Sequence, residues 1–115
     1  MNERYIRQTM IPGIGEAGQE KLKNAKVLIV GIGGLGSPIS LYLTAAGVGQ
    51  IGLIDDDIVS KSNLQRQILY TEAEIGQSKV ECACRRLSAL NSSTRFETYP
   101  NRFTPDNANR LVSAY

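Results

Sequence analysis

The run Val27-Leu28-Ile29-Val30 breaks directly into Gly31-Ile32-Gly33-Gly34-Leu35-Gly36, and Asp55 follows nineteen residues beyond the last glycine. Three β-branched residues and a leucine in sequence read as a buried strand, and the glycines read as its exit turn. Gly31 permits a tight turn, Gly33 lets backbone approach a phosphate, and Gly36 lets the next helix pack against the strand. Gly34 completes the cluster. A helix starting there aims its N–H groups and positive dipole end at an anion. Asp55 closes the next apolar run, Ile51-Gly52-Leu53-Ile54, where a carboxylate suits the hydroxyl pair of a ribose. The pattern predicts a nucleotide site without naming the nucleotide.

The punctuation of the rest of the chain places this unit in an α/β order. Strands are expected at residues 26–30, 50–54 and 95–99. Helices are expected at 16–24, about 37–46, 79–90 and 106–114, with Pro38 in a first turn and Gly47 as a stop. Residues 3–11 run from polar to apolar and end at Pro12-Gly13. The polar stretch from Asp55 to Gly76 is expected to hold short helical pieces. Ile39, Leu41, Tyr42, Leu43 and Ala46 make the second helix apolar nearly all round, as for a helix sandwiched in an α/β domain. The order is the start of a doubly wound, Rossmann-like parallel sheet with right-handed crossovers. Such sheets usually have five or six strands, so residues 1–115 read as the first half of one domain, truncated relative to the complete fold.

Composition removes several chemistries. Histidine is absent, so no imidazole serves as base, proton shuttle or metal ligand. The two cysteines, Cys82 and Cys84, have i, i+2 helical spacing and point apart, which disfavours a disulfide or shared metal. A net charge of +2 gives no argument for a nucleic-acid or membrane surface. No apolar run reaches membrane-spanning length, and Met1-Asn2-Glu3-Arg4 lacks a signal-peptide core, so a cytoplasmic protein is expected. Catalysis is left to Arg, Lys, Asp, Asn and backbone groups, which suit charge stabilisation on phosphates.

The segment Asp55-Asp56-Asp57-Ile58-Val59-Ser60-Lys61-Ser62-Asn63-Leu64-Gln65-Arg66-Gln67 leaves the second strand at the ligand edge, and Lys79 follows Gly76-Gln77-Ser78. Arg66 offers a bidentate fork for phosphate oxygens and Lys79 a point charge. Nothing supplies the apolar nicotinamide half-pocket of a dehydrogenase, which favours ATP. Taken singly, Arg7, Arg66 and Lys79 read as solvated surface charges. Asp56 is assigned to solvent, and Arg85-Arg86 to a solvated helix face.

Five ordered blocks carry a resemblance across essentially the whole chain: Arg4-Tyr5-Ile6-Arg7-Gln8, the glycine turn with Ala46-Gly47-Val48-Gly49, Asp55-Asp56-Asp57, Ser62-Asn63-Leu64-Gln65-Arg66-Gln67 and Gly76-Gln77-Ser78-Lys79. The sequence resembles the ThiF/MoeB/HesA family of carrier-protein adenylyltransferases, nearest the thiamine-pathway type with the molybdopterin type close behind. The resemblance implies attack by the C-terminal glycine carboxylate of a ubiquitin-like sulfur carrier on the α-phosphate of ATP, with release of pyrophosphate. It implies phosphate contact at Gly34, ribose contact at Asp55, and triphosphate contacts from Asn63, Arg66 and Lys79. Arg7 matches an arginine that reaches into the partner subunit's site of a homodimer. The resemblance also implies Mg2+, with its main Asp ligand expected beyond residue 115. In the complete family protein it implies zinc on CxxC pairs and a sulfur-transfer cysteine. None of these matches a residue here, so no metal ligand is assigned within residues 1–115. A non-catalytic binding or dimerisation module and an NAD-dependent protein are the alternative readings.

Overall fold

In the computed structural model, which describes residues 3–115, three strands form one sheet: β1 (Lys26–Val30), β2 (Gln50–Ile54) and β3 (Arg95–Tyr99). Met1 and Asn2 of the polar N-terminal stretch lie outside the described residues. All pairs are parallel, in the order β1-β2-β3, with Lys26 opposite Gln50 and Gln50 opposite Arg95. Parallel neighbours require crossovers, supplied here by α3 (Gly36–Ala46) and α4 (Lys79–Leu90). The remaining helices are α1 (Ile6–Thr9), α2 (Gly15–Asn24) and α5 (Pro105–Val112). The strands fall where the sequence places them. The last helix starts one residue earlier and stops two residues sooner than expected, and residues 3–9 are helical where only a polar-to-apolar run was read.

Burial follows strand position more than strand composition. Ile51, Gly52, Leu53 and Ile54 are all buried because β2 is central. The equally apolar β1 is an edge: Ile29 is buried but Val30 is 52% exposed, so the expected buried strand is only half right. From α4, Val80, Cys82, Ala83 and Leu87 close one face of the core.

The second correction concerns α3. Its buried residues are Gly36, Ser37, Ser40 and Thr44, while Ile39 is 48% and Tyr42 77% exposed. Close approach explains the inversion. A Cβ on Gly36 would be driven into the Gly31 carbonyl, so the helix starts hard against the turn and small side chains line its closest approach. Leu41 and Leu43 still reach the core from the flanks of the helix, but Ile39 and Tyr42 face outward, so among the described residues the helix is covered on one side and is not sandwiched.

Candidate nucleotide site

The two ends of α3 are finished differently. At the C-terminal end, Gly47 takes the left-handed conformation at φ 97°. There Gln8 Nε2 and Gln19 Nε2 each donate to the Ala46 carbonyl at 3.0 Å. Asn91 Nδ2 donates to the Thr44 carbonyl at 3.0 Å. The carbonyls that a helix leaves unpaired are thus closed by side chains. At the N-terminal end the N–H groups of Gly33, Gly34 and Leu35 donate to nothing among the described residues. An open set of N–H groups at the positive end of an eleven-residue helix is an anion cradle.

The cradle is held from two sides. Gly31, at φ 83°, makes the turn out of β1 that a side chain would strain. Beyond it, the Ile32 N–H donates to Asp55 Oδ2 at 2.7 Å, and the buried Tyr70 hydroxyl donates to the Ile32 carbonyl at 2.6 Å. Burial first, and then the Asp55 charge, raises the Tyr70 phenol far above its ordinary range, so it stays a donor. Asp55 Oδ1 also accepts the Asp57 N–H at 2.8 Å. Each Asp55 oxygen has a backbone partner and keeps acceptor capacity for a ribose hydroxyl.

The segment after β2 folds back over the turn. Ile58 bridges Ser78 in antiparallel fashion, and the Lys79 N–H donates to the Asp57 carbonyl at 3.1 Å, returning Lys79 to the end of β2. Its side chain is only 6% exposed, a correction to the solvated charge expected from sequence. The stem is covered, and the ammonium stands 3.9 Å from Asp57 Oδ2, too far for a hydrogen bond. Asn63 uses Oδ1 to accept the Ser60 N–H at 3.1 Å, which leaves its amide nitrogen free to donate. The Arg66 stem lies 3.9 Å from the position a Cβ on Gly34 would take, while Nη1 donates to the Ser62 carbonyl at 3.1 Å. Gly33, Gly34, Asp55, Arg66 and Lys79 therefore share the C-terminal edge of the sheet, where ligands of open α/β sheets bind.

Arg7 does not join them. It is exposed on α1, next to Gln8, which is bonded to the opposite end of α3. Ten residues of helical rise, roughly 15 Å, separate that end from the glycine turn. Within one chain Arg7 has no route to the cradle.

Sequence reasoning missed Gln67 and Tyr70, both buried, and Arg102, which lies 3.7 Å from Asp56 Oδ2 and lines a cleft with Asp55, Asn101 and Phe103. The Ser62–Gln67 block contained a signal for Gln67, but burial of a polar residue has no sequence period. Cys82 is buried beside Gln77 and Arg85, and burial raises its thiol pKa, while Cys84 lies near Ser88. No three His, Cys, Asp or Glu side chains converge on a metal position among the described residues. No described helix is long and apolar enough to cross a membrane.

The parallel sheet and its glycine turn define a Rossmann-like α/β domain. A family model described as the ThiF family matches residues 5–115, and the chain belongs to that family. It is 49% identical over 113 residues to the sulfur carrier protein adenylyltransferase of Thermus thermophilus, covering 98% of this chain and 42% of that protein. The chain thus spans less than half the length of that relative. Among solved structures it is similar to the Escherichia coli tRNA N6-threonylcarbamoyladenosine dehydratase TcdA, at 34% identity and a TM-score of 0.85 over 88% of this chain and 42% of that one. It is also similar to E. coli MccB crystallised with ATP, at 33% identity and a TM-score of 0.72 over 82% of this chain and 34% of that one.

Proposed function

We propose that this chain is the nucleotide-binding part, residues 1–115, of an enzyme that adenylylates the C-terminal glycine carboxylate of a ubiquitin-like sulfur carrier. The nucleotide is ATP and the carrier belongs to thiamine biosynthesis, with the molybdopterin carrier as the competing substrate. The observation that carries the reading is the convergence of donors on one edge: loop N–H groups and Asn63 Nδ2, which donate to nothing among the described residues, together with the Arg66 guanidinium and the Lys79 ammonium. Similarity to a sulfur carrier protein adenylyltransferase and to a structure holding ATP supports it.

The chemistry suits this inventory. A terminal carboxylate is ionised at neutral pH, so its attack on the α-phosphate requires no general base and no histidine. A new O–P bond forms, the bond to the β-phosphate breaks, and pyrophosphate leaves with the charge. Arg66, Lys79 and Asn63 stabilise that charge, and the loop N–H groups fix the phosphates for in-line attack. Asp55 orients the ribose. The donor set fits phosphates and does not fit Mg2+ or zinc, so no step is assigned to a metal. Arg7, remote from its own cradle, acts in the site of a second subunit of a homodimer.

Pyrophosphate exchange into ATP, driven by a Gly-Gly-ended carrier, tests the reading. Carrier-dependent exchange is expected of the complete enzyme and not of the 115-residue chain alone, and the two carriers compared side by side assign the pathway. Tighter calorimetric binding of NAD than of ATP overturns it.

A further inference from the structure

Gln67 is a buried polar side chain bordering the cradle for which neither the fold nor the assigned roles provide a partner. The residue is 4% exposed, its Oε1 is sealed from solvent without a donor, and its Nε2 donates to nothing among the described residues. Nε2 lies 3.6 Å from the position a Cβ on Gly33 would take, so the amide borders the cradle. The side chain is anchored in that place. The Gln67 N–H donates to the Asn63 carbonyl at 2.8 Å, and its own carbonyl accepts the Tyr70 N–H at 3.2 Å. Tyr70 in turn grips Ile32. A buried amide without partners destabilises a fold, and an apolar residue of similar volume avoids that cost.

We propose that Gln67 is a phosphate-binding residue of this site, its Nε2 donating to an oxygen of the nucleotide's polyphosphate. The proposal rests on the nucleotide reading above and adds a residue which that reading does not use. The chemical class of the ligand follows from what surrounds the amide. The Gly33 and Gly34 N–H groups and the Arg66 guanidinium beside it only donate. A group that accepts from several donors at once and need donate to none is an anionic oxygen, which in a nucleotide is a phosphate oxygen.

The test is a titration of the 15N-labelled 115-residue chain with ATP, followed by NMR. The Gln67 side-chain amide pair is assigned by its disappearance in Gln67→Leu. It is expected to shift on the same saturation curve as the Gly33 and Gly34 backbone amides. Gln67→Leu is expected to weaken ATP about tenfold, as for loss of one hydrogen bond to a charged group, with Tm unchanged or raised. The proposal is overturned if the glycine amides respond to ATP while the Gln67 pair stays still, or if Gln67→Leu binds ATP like wild type. Failure of the glycine amides to respond at all overturns the nucleotide reading itself. The wild-type titration decides the matter even where the variant folds poorly.

Discussion

Asp55 Oδ2 accepts the Ile32 N–H at 2.7 Å, so the end of β2 holds the turn that leaves β1. One carboxylate therefore fixes the loop and faces the ligand edge. Asp55→Ala is expected to lower stability by about 2–3 kcal/mol, since two backbone donors lose a charged acceptor, and to weaken ATP as well. Asp55→Asn keeps an acceptor and restores part of the stability. Urea unfolding and calorimetry measure both. Unchanged stability in Asp55→Ala removes the anchoring role.

Gly36→Ala is expected to cost about 2–3 kcal/mol or more, because a Cβ there meets the Gly31 carbonyl rather than a yielding side-chain tip. Urea denaturation reads the change directly. A loss within about 0.5 kcal/mol, typical of an unconstrained surface site, contradicts the contact.

Tyr70→Phe tests the other grip on Ile32. The folded-state pKa of Tyr70 is raised above the unfolded value of 10.0, so the folded chain retains a proton that the unfolded chain releases. Its contribution is complete below pH 10 and declines as pH rises beyond it. Tyr70→Phe is expected to lose about 1 kcal/mol at neutral pH and to show a shallower alkaline decline. Tyr115, raised chiefly by burial, leaves a residual slope in the variant. Parallel stability–pH profiles for the two proteins sink the idea.

In the complete enzyme, Arg66→Ala and Lys79→Ala are each expected to reduce carrier-driven pyrophosphate exchange by two orders of magnitude or more. Their stabilities separate them. Arg66 is exposed and its loss is near neutral, whereas Lys79→Ala uncovers a packed stem and is destabilising. Near wild-type exchange in either variant removes its assigned role.

The free edge of β1 and the outward Leu35, Ile39 and Tyr42 favour association with a second chain. Concentration-dependent sedimentation of the 115-residue chain is expected, and a monomer at every concentration contradicts it. In the full-length protein, mixed Arg7→Ala and Arg66→Ala subunits are expected to recover about a quarter to a half of exchange activity, because each mixed dimer keeps one intact composite site. Absence of recovery returns Arg7 to its own subunit.

Local signals made much of this architecture legible. The strand bounds at Lys26–Val30 and Gln50–Ile54 follow from apolar runs ended by glycine or aspartate, and Gly47 marks the end of α3. Layer position was not legible. The same apolar composition gives an exposed edge in β1 and a sealed centre in β2, because strand order is a tertiary fact. The inversion of α3 has a similar origin: sequence shows that Gly36 permits close packing, but not that Ser37, Ser40 and Thr44 would occupy the gap. Lys79 was read as solvated because its cover comes from a chain reversal at Ile58 and Ser78. Tyr70 and Gln67 act across more than thirty positions on Ile32 and Gly33, beyond any local spacing rule.

The close approach of Gly36 to the Gly31 carbonyl sets the helix start hard against the turn, so the backbone floor of the site is closely packed. Such a floor has little freedom to adapt to a differently shaped ligand. Adaptation falls to the wall built by residues 60–79, where the exposed Arg66 is held by a single bond to the Ser62 carbonyl and the Lys79 ammonium stands 3.9 Å from its carboxylate partner. A change of ligand preference in this chain is then expected to arise from substitutions in that wall, with the glycine floor as the fixed gauge against which it is set.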